Sequence, residues 1–319
     1  MCYSAMVGQD VKHLARIYGA QPNWEQIRET FTRRMTDRTI RMPKAMELAF
    51  ENPESAHELD IKKIINEYKT IQTRDFEQEL FKQKKRLADA ERSLKKKATK
   101  KAEEDQRIAT NKIDSLVYKI AELKRSEFKD RDNRIFPFYY SFIVIDQGKG
   151  HEIIAARYHC RPQGRPAVFD RKLPGLYNAR RDSLEKFWVD LYGKNHGVIK
   201  MTSFFENVSK HRYEHRDLRP DESEENIVLH FNPNPPQVMN VACLWSHWQN
   251  SGESDLYSFA AITDEPPPEI AAAGHDRVVI MLRDDNVNAW LSPRNTSGDF
   301  LESILDDRNQ LRFEHRIAA

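Results

Sequence analysis

The stretch from Glu54 to Phe136 contains neither proline nor glycine. Lys, Arg, Glu, Asp, Gln and Ala dominate it. A segment of that length and polarity without the two residues that interrupt helices reads as helical. Leu80, Leu87 and Leu94 are spaced by seven, and Ile113, Leu116, Val117, Ile120 and Leu123 recur at helical spacing. Each half therefore carries the narrow apolar stripe of a coiled-coil seam. Lys82 to Lys101 holds ten Lys or Arg and few apolar residues. Both ends must return to one globular body, so the pattern predicts two helices folded back as an antiparallel hairpin rather than one long helix. The basic residues Lys95, Lys96, Lys97, Lys100 and Lys101 then fall at its tip.

The flanks follow different periods. Val11, Leu14, Ile17 and Tyr18 share one helical face after Asp10, a good N-cap, and Trp24, Ile27 and Phe31 suggest a second helix. From Phe136 onward the chain breaks into short runs rich in Phe, Tyr, Val and Ile, bounded by Gly, Pro, Asn and Asp. The runs 138–145, 152–158, 198–205, 226–231, 238–245, 257–263 and 278–282 read as strands, and 182–191 and 299–307 as helices. With 5 Trp, 16 Phe and 11 Tyr the chain has the material for a core. The expected fold class is α+β, a largely antiparallel sheet with peripheral helices and an inserted helical hairpin. The expected divisions are 1–54, 55–130 (the hairpin) and 131–319.

The balance of charge limits the function classes. Fifty-one basic residues oppose 49 acidic ones for a net charge of +2, so attraction to nucleic acid has to come from a local patch. No run approaches the ~20 apolar residues of a membrane span, and the start lacks a charged-then-apolar signal pattern. Three cysteines cannot form a disulfide framework. A cytoplasmic protein without membrane association is expected.

Four features carry chemistry. The chain starts Met1-Cys2-Tyr3-Ser4; removal of Met1 would leave Cys2 with a free α-amine and a thiol. These titrate near pH ~8 and ~8.5, so both are partly nucleophilic at neutrality. The amine condenses with an aldehyde to an imine, and the thiol can close a five-membered thiazolidine. Next, Tyr177-Asn178-Ala179-Arg180-Arg181-Asp182 ends a basic stretch. Residues 157–181 hold Arg157, Arg161, Arg165, Arg171, Lys172, Arg180 and Arg181 against one acid, Asp170, with Phe169 and Tyr177 interleaved. Such a patch suits phosphate contacts with base stacking. Third, Phe204-Phe205-Glu206-Asn207 places a carboxylate at the end of an apolar strand, where desolvation would raise its pKa toward the range of a general acid or base. Last, Gly274-His275-Asp276-Arg277 puts a histidine at the mouth of the run Val278–Leu282, suited to proton transfer near pH 7. His159-Cys160 and Cys243 lack a metal-ligand spacing, and neither a metal nor another cofactor is expected.

In this order the four motifs resemble the SRAP family, the SOS-response-associated peptidases or abasic-site-processing proteins. The resemblance covers residues 1 to about 45 and about 136 to 295, including Phe259-Ala260-Ala261-Ile262-Thr263 and Ala289-Trp290-Leu291, and leaves out the hairpin. The family most often begins Cys-Gly-Arg where this chain has Cys2-Tyr3-Ser4. Asp182 stands where it usually has Glu, and Val208 where Trp commonly follows the strand glutamate. The resemblance implies a barrel-like sheet and a protein that binds single-stranded DNA carrying an abasic site. It further implies that Cys2 crosslinks the ring-opened sugar as a thiazolidine, and that Met1 is removed by self-processing. It assigns Cys2, Asn178, Glu206 and His275 to catalysis and Arg180 to phosphate binding. Arg181, Arg157, Arg161, Arg165 and Tyr177 of the basic patch are expected to contact DNA as well. The hairpin would bind a protein partner or extend the DNA contact. Two other readings stay open: an N-terminal-nucleophile amidohydrolase using Cys2, and a non-enzymatic coiled-coil interaction protein.

Overall fold

The computed structural model describes residues 3–318. The chain divides into two compact units, one built from the residues up to Ala49 together with those from Lys129 onward, the other Phe50–Phe128.

In the first unit the described residues form thirteen strands: β1 (Ser4–Val7), β2 (Gln21–Pro22), β3 (Arg134–Ile135), β4 (Tyr140–Asp146), β5 (His151–Tyr158), β6 (Asn178–Arg180), β7 (His196–Ser209), β8 (Asn226–Asn234), β9 (Met239–Trp248), β10 (Leu256–Asp264), β11 (Val278–Val279), β12 (Met281–Leu282) and β13 (Arg312–Ile317). All belong to one sheet whose main path runs β12-β9-β10-β5-β4-β7-β1-β3. Neighbours are antiparallel except β10 against β5 and β6, and β2 against β5. The β7 strand also pairs with β9, so β9, β10, β5, β4 and β7 form a closed circuit, while β1, β3, β8 and β13 lead away from it. Five strands thus close on themselves, but with β1, β3, β8 and β13 extending beyond them the sheet as a whole is not a clear barrel. Its inner face is lined by apolar side chains that alternate along the strands, such as Ile143 and Ile145, Ile199 and Met201, and Phe259 and Ala261, all fully buried.

The peripheral helices start where the sequence places their caps. Helix α1 (Val11–Tyr18) opens on Asp10, whose carboxylate accepts from the His13 amide at 3.0 Å. It closes on Gly19, at φ +57°, a left-handed position that glycine occupies without strain. Helix α2 (Trp24–Arg33) is capped by Asn23, and α3 (Lys44–Leu48) follows.

The second unit is the hairpin. Helix α4 (Ala56–Lys96) and helix α5 (Lys100–Lys124) are capped by Ser55 and Thr99, and three residues turn the chain between them. Ion pairs Arg86–Asp105 (2.5 Å) and Glu77–Lys124 (3.5 Å) fix the antiparallel register. The buried residues are Glu58, Ile61, Ile65, Gln83 and Ala90 on α4, and Ala102, Ala109 and Leu116, seven apart, on α5. Leu80, Leu87 and Leu94 are half-buried beside them, and Val117, read as part of the stripe, points outward.

Beyond the sheet core lie α6 (Phe169–Lys172), α7 (Lys210–Tyr213), α8 (Pro268–Ala272), α9 (Val287–Leu291) and α10 (Gly298–Asp306). Two readings change. The predicted helix over 182–191 is a single 3₁₀ turn, Arg181–Ser183, followed by successive turns. Bonds of mixed span, Leu184 N–H to Arg181 O and Trp188 N–H to Ser183 O, bury Leu184, Trp188 and Leu191 without a regular helix. The predicted strand 278–282 is split at Ile280. Its N–H bonds to Ile262 of β10 and its carbonyl to Ala242 of β9, so the chain crosses from one neighbour to the other there.

Candidate functional site

Strand β1 lies between β7 and β3, with Ser4 opposite Phe205 and Ala5 opposite both Phe204 and Ile135. This pairing brings the start of the described chain alongside the second half of β7. The Tyr3 N–H donates to the Phe205 carbonyl (3.1 Å) and lies 3.3 Å from Glu206 Oε2. Cys2 lies outside the described residues.

Glu206 is not at a strand end. It sits within β7, three residues before Ser209, and the two-residue period puts its side chain in the row of Phe204 and Val208, both core residues. The carboxyl is fully buried, and burial pushes its pKa up to about 8. His275 reaches it from the turn between α8 and β11. Gly274, at φ +89°, makes that approach possible: a Cβ there would lie 2.9 Å from Val208 Cγ1. His275 Nε2 is 3.3 Å from Glu206 Oε2, and burial pushes the imidazole down to about 4. Nδ1 lies 2.9 Å from the Arg277 carbonyl and 3.3 Å from the Arg277 N–H, so the backbone of Arg277 holds the ring in place. Near pH 7 the pair is a carboxylic acid against a neutral imidazole.

Asn178 enters on β6, which runs parallel to the C-terminal half of β10 with Asn178 beside Ala261. Its side chain is buried, and neither amide atom has a hydrogen-bond partner among the described residues. The Asn-Ala-Arg and His-Asp-Arg motifs are tied together by Asp182, which pairs with Arg180 (2.7 Å) and faces Arg277 at 3.6 Å.

The basic stretch does not form one exposed strip. Arg157 and Arg161 both pair with Asp170, at 2.9 and 2.5 Å, and all three are largely buried. The single acid of the stretch is thus shared by two of its arginines, and the trio keeps one net positive charge. Their guanidiniums also lie over Phe138 and Trp248 at the wall of a cavity of about 570 Å³, which Arg33, Arg38 and Arg41 line from the other side. Arg181 is held by Asp264, Glu302 and Asp306. Tyr177 packs edge-on to Tyr158. Arg180 and Arg165 remain exposed, Arg165 over the ring of Phe169. Cys160 and Cys243 are buried, and burial pushes the Cys160 thiol up to about 12 and that of Cys243 well above its usual range, which leaves Cys2 as the chain's remaining thiol.

Sequence reasoning missed Arg134. From β3 its Nε and Nη2 donate to Ser4 Oγ at 3.1 and 3.0 Å, and its guanidinium lies 3.5 Å over the ring of Phe205, next to Glu206. The partners are 130 residues apart in sequence, and only the β1–β3 pairing brings them together.

The family model for SOS response associated peptidase (SRAP) matches residues 89–316. The chain belongs to the SRAP family. The matched range holds Asn178, Glu206 and His275, whereas Cys2 lies ahead of it. Among SRAP relatives in Bacillus subtilis (strain 168), abasic site processing protein YoqW is 31% identical over 166 residues, 51% of this chain and 67% of YoqW. Abasic site processing protein YoaM is 32% identical over 166 residues, 51% of this chain and 66% of YoaM. YobE, another abasic site processing protein of that strain, is 28% identical over 51% of this chain and 68% of its own length. In this SRAP chain no described helix is long and apolar enough to cross a membrane.

Proposed function

We propose that this protein binds single-stranded DNA bearing an abasic site and captures the lesion through Cys2. The observation that carries the reading is the buried Glu206–His275 pair, 3.3 Å apart, with the Tyr3 amide on the same carboxyl. The names of the SRAP relatives point to the same lesion.

The ring-opened abasic sugar presents an aldehyde. Hydrolysis of the Met1–Cys2 peptide bond by the protein's own site frees the Cys2 amine. The amine adds to the aldehyde carbon and the adduct loses water, giving an imine. The thiol then adds across C=N: sulfur bonds to carbon, its proton goes to nitrogen, and a thiazolidine closes. Every stage moves a proton to or from nitrogen or oxygen, and an acid whose pKa is near neutrality serves in both directions. Glu206 exchanges protons with the amine and the sugar oxygen. His275, 3.3 Å from Glu206, assists ring opening and reversal. Asn178 offers a donor and an acceptor to the amine or the sugar. Arg180 holds a flanking phosphate through its planar fork, and exposed Arg165 adds a second cation. The hairpin binds a protein partner or extends the DNA contact through its tip lysines.

The test is incubation with abasic single-stranded DNA, read on a denaturing gel and by intact mass. The expected result is a protein lacking Met1 and a covalent shift. Cys2→Ala should lose the adduct while still binding an abasic analogue that has no aldehyde. Cys2→Ser should give at most a weaker, reversible imine-type product. A denaturant-resistant adduct with Cys2→Ala would assign the chemistry to another nucleophile and end this reading.

A further inference from the structure

Arg134 is a partly buried guanidinium without a counter-charge. Its Nε and Nη2 go to a neutral hydroxyl, Ser4 Oγ, and among the described residues it forms no ion pair. Other arginines of this fold that are similarly withdrawn from solvent carry carboxylates, as Arg157 and Arg161 do with Asp170 and Arg181 with Asp264. Arg134 is instead held by rings. It lies 3.5 Å over the Phe205 centroid and 4.8 Å from that of Phe136. The His230 imidazole stacks on Phe205 at 4.1 Å with an interplanar angle of 10°, which places it on the opposite face of that ring. Burial, and then the charges of Arg316 and Arg134, push His230 down to about 4, so the surroundings are cationic rather than acidic. Withdrawing a cation from water without a partner is costly, and an oxyanion brought by a ligand would offset that cost.

We infer that Arg134 is a phosphodiester-binding residue for the DNA strand that enters the Glu206 site, an assignment that rests on the proposed function. The fork left open by Ser4 matches the two non-bridging oxygens of a phosphodiester. Ser4 pairs with Phe205 and shares its face of the sheet with Arg134, Glu206 projects from the other face, and the Tyr3 amide bonds to Phe205 and Glu206 between them, so the two groups flank the start of β1. A phosphate held there sits across the start of β1 from the lesion. The half-exposed rings of Tyr3 and Phe136, edge to face at 5.9 Å, lie beside it and can take a neighbouring base.

The experiment measures binding of a single-stranded oligonucleotide containing a tetrahydrofuran abasic analogue, which cannot form an imine, by anisotropy between 50 and 200 mM KCl. Arg134→Gln should lower the slope of log affinity against log salt by ~0.7, the loss of one phosphate contact on a single strand. Arg134→Lys keeps the charge and should keep the wild-type slope, with weaker binding from loss of the fork. A wild-type slope in Arg134→Gln overturns the inference. So does an equal loss of slope in Arg134→Lys, which would assign the effect to the packing of β1. If the wild-type protein neither binds this probe nor crosslinks abasic DNA, the functional reading itself fails. Binding and crosslinking by the wild type with an unchanged Arg134→Gln slope removes only the role of Arg134.

Discussion

His275 Nε2 meets Glu206 Oε2 at 3.3 Å, and burial shifts the two groups in opposite directions. Glu206 moves from 4.5 to about 8, so its contribution to stability is full below pH 4.5 and is lost as the pH rises through 8. His275 moves from 6.5 to about 4, so its contribution is present above pH 6.5 and is lost as the pH falls through 4. The two oppose each other between pH 4.5 and 6.5, and above that only Glu206 acts. Wild-type protein should lose about 2 kcal/mol between pH 6.5 and 8 relative to Glu206→Gln. Calorimetric melts of both proteins across that window check it; a constant difference would mean that Glu206 is ionised throughout.

Asn178 is buried with both amide atoms lacking partners among the described residues. An unsatisfied polar group costs stability rather than supplying it, by about 1–3 kcal/mol. Asn178→Ala should therefore melt at or above the wild-type temperature while crosslinking abasic DNA at least tenfold more slowly. A clear drop in melting temperature would make the residue structural.

Asp170 and Arg180 separate a folding charge from a binding one. Asp170→Asn leaves the largely buried Arg157 and Arg161 facing each other uncompensated and should cost about 3–5 kcal/mol in denaturant titrations. Arg180→Ala removes an exposed side chain and should leave stability within about 0.5 kcal/mol. It should also reduce the salt slope of DNA binding by ~0.7. Unchanged salt dependence with slower crosslinking would move Arg180 from anchoring to chemistry.

The outer hairpin can be removed at a defined level. Glu77 and Lys124 face each other at 3.5 Å, so a short Gly-Ser linker joining these positions removes the outer part of α4 and all of α5 but its last residue, and keeps the base of α4. The truncated protein should crosslink abasic DNA within about twofold of wild type, a margin of about 0.4 kcal/mol. Loss of the adduct in a truncation that still melts cooperatively would show that the outer hairpin helps to form the site.

The readable parts of this chain were those whose partners are local. Burial alternates within a strand and capping acts over three residues, so α1, α2 and the central strands announced themselves, with boundaries off by a few positions. The hairpin stripe showed Leu80, Leu87, Leu94 and Leu116, but toward the tip the buried positions are Gln83, Ala90, Ala102 and Ala109, residues that carry little hydropathy. Strand β13 was missed because only Phe313 along it is buried. At the site, Asn178, Glu206 and His275 were legible as motifs. What Arg157 and Arg161 do was not, because a basic run with one acid reads the same whether the acid faces water or bridges two guanidiniums. Arg134 gave no signal, since its meaning depends on β1 lying beside β3.

Strand β7 pairs with β1, β4, β8 and β9, and Glu206 belongs to it. The Glu206 carboxyl thus stands on a part of the sheet whose amides are locked from several sides, and such regions open only when the whole domain unfolds. On heating, catalytic competence and tertiary structure should vanish in a single transition. A preparation that remains folded after warming should regain full crosslinking on return to room temperature, and loss of activity in storage should track aggregation rather than a local loosening of the active centre.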